Sequence, residues 1–199
     1  AYGQIQSALE AFQGAAQKLS DPALFRNVTG TPSVSGILSA TSTDPSSAGS
    51  YSINVTQLAQ SQSLIAKGQA SSTSAIGSGT VTFDFGTVSG GTYDSATGSY
   101  SGAAFSVDGT RAGKSITIDS SNNTLAGIRD AINGADLGVT ASIVNDGSGT
   151  PYRLVLLSKQ TGEASSMRIS VSGDAALQQL LGNDPAGTQN LQQTLAAQN

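Results

Sequence analysis

The chain has 199 residues, only 11% of them charged, and a formal net charge of −4. Its few Lys and Arg are scattered singly, which argues against nucleic acid or an anionic membrane as partner, and no apolar run reaches the roughly eighteen residues of a membrane-spanning helix. Histidine, cysteine and tryptophan are absent, which excludes disulfides, thiol nucleophiles, imidazole bases and His/Cys metal cages.

The length suffices for one large domain or two small ones with a real core. The first residue is Ala1 rather than Met, which reads as a processed product or an excised piece. Residues 2–19 place Tyr2, Ile5, Leu9, Phe12, Ala16 and Leu19 at alternating steps of three and four. That spacing predicts an amphipathic helix with a heptad seam, ended by Pro22 and its neighbours. A seam of this kind needs a cover. The expectation is a partner helix outside these residues or in another subunit; the alternative is packing on the chain's own sheet.

Residues 26–50 are rich in Ser, Thr, Gly and Pro and read as a connector with a short edge strand from Val34 to Ala40. Tyr51, Ile53 and Val55 then alternate with Ser52, Asn54 and Thr56, predicting a half-buried strand. Further strands are expected at 63–69 and 81–85, with a hairpin or loop over 87–102. Two more follow at 105–109 and 114–119, with Asp108-Gly109 marking the turn between them.

Leu125, Ile128 and Ile132 share one face of a short helix over about 124–133, opposite Ala126, Asp130 and Asn133. Asn123 or Thr124 is the expected N-cap, and Gly134 the terminating glycine. Gly127, inside this helix, costs about 1 kcal/mol against Ala; either another element approaches it or the cost is tolerated. Strands follow at 139–143, 152–158 and 167–172, with a turn at 145–151. The short pieces 175–181 and 190–198 have too few apolar positions to cover the N-terminal seam. The fold class is therefore mainly β or α+β: antiparallel β-rich domains with the helix of about 124–133 packed on a sheet, plus the N-terminal helix of about 2–19.

No catalytic, cofactor-binding or metal-binding residue is assigned, and the chain is read as a non-enzyme. A carboxylate pair would have to come from Asp84, Asp108, Asp119 and Asp130, yet each has a plain structural reading at a strand face, a turn or a solvent-facing helix position. Residues 119–130 have the length of a calcium loop but lack its glycine at the sixth position and glutamate at the twelfth. Residues 90–98 resemble a calcium-binding β-roll repeat only loosely, and no repeat follows. Residues 109–113 and 147–150 are turns rather than phosphate loops. What remains is a structural or assembly protein that works through its surfaces.

Three stretches resemble the FliD family of flagellar filament-capping proteins, also called hook-associated protein 2. They are residues 1–19, residues 37–69 with the more specific "GSYSINVTQLAQ" at 49–60, and residues 124–170, which are similar to a flagellin-type repeat of caps and some flagellins. The resemblance implies a homo-oligomeric cap ring at the distal tip of the extracellular filament, which promotes folding and insertion of flagellin without any cofactor. It implies that 1–40 end a helical leg region and connector, that 41–75 with 173–199 form part of a β-rich outer domain, and that 76–172 form an inserted distal domain. The family's returning C-terminal helices would then cover the seam of 1–19. Flagellin and other copies of the chain are the implied partners, with host-surface glycans a further one for some caps; nucleic acid and membrane insertion are not expected. The alternatives are a flagellin or other hook-associated filament component, and a surface adhesin or carbohydrate-binding β-module.

Overall fold

A computed structural model describes residues 2–21, 28–34, 36, 38–42 and 49–199. The chain divides into two compact units, Ala1–Asn54 and Val55–Asn199.

In the first unit the heptad pattern forms α1 (Tyr2–Leu19) as expected, and none of its residues is buried. Lys18 lies in the last turn, where a cation complements the helix dipole. The Ser20 hydroxyl donates to the Ala16 carbonyl at 3.0 Å, closing the end. Pro22 lies outside the described residues. The edge strand expected from Val34 to Ala40 does not form among its described residues; Ser35 and Ile37 lie outside them. Nor do Tyr51, Ile53 and Val55 form the expected half-buried strand: residues 49–59 have no regular structure, and Tyr51 is 85% exposed. Alternation supplies a strand with two faces but not with a neighbour, and the first ladder contact comes only at Gln60, whose N–H donates to Gln198 at 2.9 Å.

The second unit is antiparallel throughout. One sheet has the order β10-β1-β8-β7, built from β1 (Ser63–Ile65), β7 (Val139–Asn145), β8 (Tyr152–Ser158) and β10 (Gln192–Leu195). The other is organised by β2 (Gly79–Ser89), which pairs with β5 (Ala104–Val107), β6 (Lys114–Ile118) and β9 (Ser166–Gly173). A small hairpin joins β3 (Thr92–Asp94) to β4 (Ser99–Ser101). Two helices complete the unit, α2 (Leu125–Gly134) and α3 (Ala175–Leu181). Strands from both expected β-segments share one sheet: β1 and β10, from 41–75 and 173–199, stand beside β8 and β7, from 76–172. A single core likewise takes Leu64, Phe83, Ile128, Leu156, Met167 and Leu181 together.

Helix α2 forms where expected. Thr124 is its N-cap, and its hydroxyl accepts from the Gly127 N–H at 3.0 Å. Leu125, Ile128 and Ile132 are fully buried. One local expectation needs correction. Gly134 is the last helical residue rather than the terminating left-handed one; Asp136 takes the positive φ, at 45°. Asp108-Gly109 marks the expected turn, with the Arg111 N–H donating to the Asp108 carbonyl at 3.1 Å, although β5 and β6 pair with successive stretches of β2 rather than with each other. Asn133 lies opposite the buried stripe as expected and is exposed, and its carboxamide also bonds both backbone groups of Ala141 on β7. Gly127 has a cause as well, since a Cβ there would lie 2.5 Å from the Asn122 carbonyl oxygen.

A buried polar chain ties the sheets together. Gln62 accepts from the Met167 N–H at 2.6 Å and donates to the Gln193 side chain at 2.6 Å. Gln193 donates in turn to the Tyr100 hydroxyl at 3.2 Å on the small hairpin. Buried polar groups are stable only when satisfied, and these are.

Candidate functional site

The chemically conspicuous surface of this chain is the seam of α1. Its eighteen residues hold two charges, Glu10 and Lys18, and a face of Tyr2, Ile5, Leu9, Phe12, Ala16 and Leu19. Tyr2 is 91% exposed, Phe12 72% and Leu9 65%. Gln4, Ile5, Ala8, Leu9 and Phe12 line a shallow apolar depression along this face. An isolated helix of this length is marginal in water, and most helices owe their stability to packing of the apolar face. With so few charges, the seam would choose its partner by apolar fit rather than by ion pairing. The polypeptide at 49–59 adds a second exposed apolar stretch, through Ile53, Val55 and Leu58.

The four aspartates weighed for catalysis each have a local partner of their own. Asp84 pairs with Arg168 at 2.8 Å, and that guanidinium also lies 5.2 Å from the centre of the Phe105 ring. Asp108 accepts from the Thr110 hydroxyl at 2.6 Å and from the Thr110 N–H at 2.9 Å, and both bonds hold its carboxyl below the usual range. Arg111 stands 3.5 Å from Asp108 and stacks 4.2 Å over the Phe85 ring. Asp119 takes the Ser121 hydroxyl and N–H, which lower its pKa in the same way. Asp130 is exposed beside Arg129 at 2.8 Å. One sits mid-strand, one on a helix and two in turns, each stabilised by its own partner, and no two of them share a partner.

The loops weighed for calcium are similarly occupied. Residues 119–130 run from a turn into α2, with the Asp119 carboxylate engaged by Ser121. In residues 90–98 the Asp94 carboxylate accepts from the Ala96 N–H and the Thr97 hydroxyl. Among the described residues no group of three or more carboxylates could hold a metal ion.

Residues 1–62 match the family described as flagellar hook-associated protein 2 N-terminus, and residues 104–160 match the flagellin hook IN motif. The chain is 38% identical to flagellar hook-associated protein 2 of Escherichia coli K12 over all of its own length and 38% of that relative's. It is similar in structure to the D1-D2-D3 domains of the flagellar cap protein FliD from Escherichia coli, with a TM-score of 0.68 and 37% identity, covering 100% of this chain and 51% of that one. The D2-D3 domains of the same protein give a TM-score of 0.64 and 36% identity over 81% of this chain and 73% of theirs. The chain thus spans 38% of the length of the curated relative it matches.

Proposed function

The chain belongs to the FliD family of flagellar hook-associated protein 2, and from that premise we propose that it forms part of the cap at the distal tip of the bacterial flagellar filament, outside the cell. Its task there is structural: to assemble with further copies into a ring and to promote folding and insertion of arriving flagellin. Residues 1–40 act as the end of a leg, and the β-rich unit Val55–Asn199 as part of the plate. A host-surface glycan is a secondary partner on the same premise, met by the β-rich unit.

The single observation that carries this reading is the exposed seam of α1 within a segment that matches the family's N-terminus. Such a face supports a protein that works by helix association. A flagellated strain lacking its own cap protein is complemented with the genomic protein that contains this chain, either intact or carrying Leu9→Asp and Phe12→Asp. The intact protein restores filaments. The substituted one leaves few, with monomeric flagellin in the medium. Failure of the intact protein overturns the capping role; full function of the substituted one overturns the part assigned to the seam.

A further inference from the structure

An outermost β-strand presents unpaired N–H and C=O groups that will accept another extended chain. Strand β7 is outermost in its sheet, β6 ends the β5-β2-β6 run, and α2 connects the two in sequence. At each of them an asparagine carboxamide occupies backbone groups, two on β7 itself and, at β6, one in the strand and one just past its end. Asn133 donates to the Ala141 carbonyl at 2.8 Å and accepts from the Ala141 N–H at 2.8 Å. Asn122 donates to the Thr117 carbonyl at 3.2 Å and accepts from the Asp119 N–H at 2.8 Å.

The two patterns differ in a telling way. The N–H and C=O of one residue are what an antiparallel neighbour engages. The C=O of one residue and the N–H two positions on are what a parallel neighbour engages. A carboxamide offers the same donor and acceptor as a peptide group, so each asparagine reproduces one rung of a missing ladder. In an antiparallel pair alternate residues face the partner strand. With Ala141 turned to Asn133, Thr140 and Ser142 are the ones that bond to β8, opposite Leu157 and Val155. Ala141 therefore faces outward, at the point where a further strand would dock.

We propose that Asn133 and Asn122 stand in for strand residues and close the outer sides of β7 and β6 to a second extended chain, above all another copy of this one. The inference is independent of the capping role. It leaves association through α1 open while preventing the β-rich units from joining sheet to sheet.

Hydrogen exchange on the complete 199-residue chain is the first test, and it needs no variant to fold. The Ala141 and Asp119 amides exchange slowly in the wild type. Rates as fast as that of the Gly149 amide, which has no hydrogen-bond acceptor in the neighbouring turn, overturn the proposal. The second test uses a Leu9→Asp background, which removes association through α1. There Asn133→Ala keeps a cooperative melt, its Ala141 amide exchanges about tenfold faster, and sedimentation shows dimers that grow with concentration. Asn133→Lys loses the same two bonds but places a charge at the strand's outer side, which discourages pairing. It exchanges as fast as Asn133→Ala and stays monomeric. If Asn133→Ala is as monomeric as Asn133→Lys, the carboxamide holds the helix end only, and the proposal fails.

Discussion

Helices α1 and α2 both carry an apolar stripe spaced by threes and fours. Yet Leu125, Ile128 and Ile132 of α2 are fully buried, whereas Leu9 and Phe12 of α1 are 65% and 72% exposed. The shorter helix is the covered one. At ten residues α2 would not hold its shape alone; it does so because β6 and β7, its immediate neighbours in sequence, carry it onto the core. Helix α1 has no described strand before Ser63. Amphipathicity tells that a face needs a cover, and the surrounding chain decides where that cover comes from.

The comparison breaks most decisively with a charge on each face. Ile128→Asp buries a carboxylate with no partner in a fully enclosed site, costing on the order of 5 kcal/mol or more, so the β-rich unit loses its cooperative thermal transition. Leu9→Asp leaves the melting of that unit unchanged, as read by circular dichroism, and reduces only association. Equal loss in the two variants would mean that α1 also belongs to the folded core.

A smaller contrast comes from the two helix glycines. Intrinsic propensity favours Ala over Gly by about 1 kcal/mol at each. At Gly14 a Cβ meets nothing within 4 Å, so Gly14→Ala raises helicity. At Gly127 it meets the Asn122 backbone at 2.5 Å, so Gly127→Ala destabilises by about 1–3 kcal/mol despite the better helix former. Thermal melts of both variants check the opposite signs.

The smallest effect is electrostatic and confined to the β-rich unit. Asp146 has its carboxyl held well below the usual carboxylate range, first by the Arg153 side chain and then by the Ser148 hydroxyl and N–H. Asp94, Asp108, Asp119 and Asp136 shift in the same direction. A depressed folded-state pKa contributes stability that is complete above the unfolded value, about 3.9. That stability is lost as the pH falls from there through the folded value. The melting temperature of the unit therefore drops below about pH 4. In an NMR titration, Arg153→Ala moves the Asp146 midpoint upward.

Sequence periodicity made α1, α2 and the β7–β8 hairpin legible, because each is a contiguous run whose spacing matches its own geometry. The Thr124 cap was legible too, as one of two adjacent candidates. Periodicity misread Tyr51, Ile53 and Val55, since an alternating run says nothing of whether a neighbouring strand is present. It also could not show β1 beside both β8 and β10, because pairing between distant segments leaves no local mark. Asn133 lies opposite the buried stripe as the helical period places it, but its bonds to Ala141, eight residues on, leave no mark in that period. Of the candidate surface, the seam itself was visible from spacing alone. The dispersal of Asp84, Asp108, Asp119 and Asp130 to separate partners required the fold.

Strands β1 and β10 bring the two ends of the β-rich unit together, with Gln62 bonded to Gln193 across 131 positions. Closing so long a span costs entropy before any contact repays it, and topologies dominated by distant pairings fold slowly. The order of events follows from this. A polypeptide delivered amino-terminus first can form α2 and the β7–β8 hairpin early, but it cannot complete the β10-β1-β8-β7 sheet until residue 195 has arrived. The last strand acts as a clasp, and this sheet stays unfastened until that strand is in place.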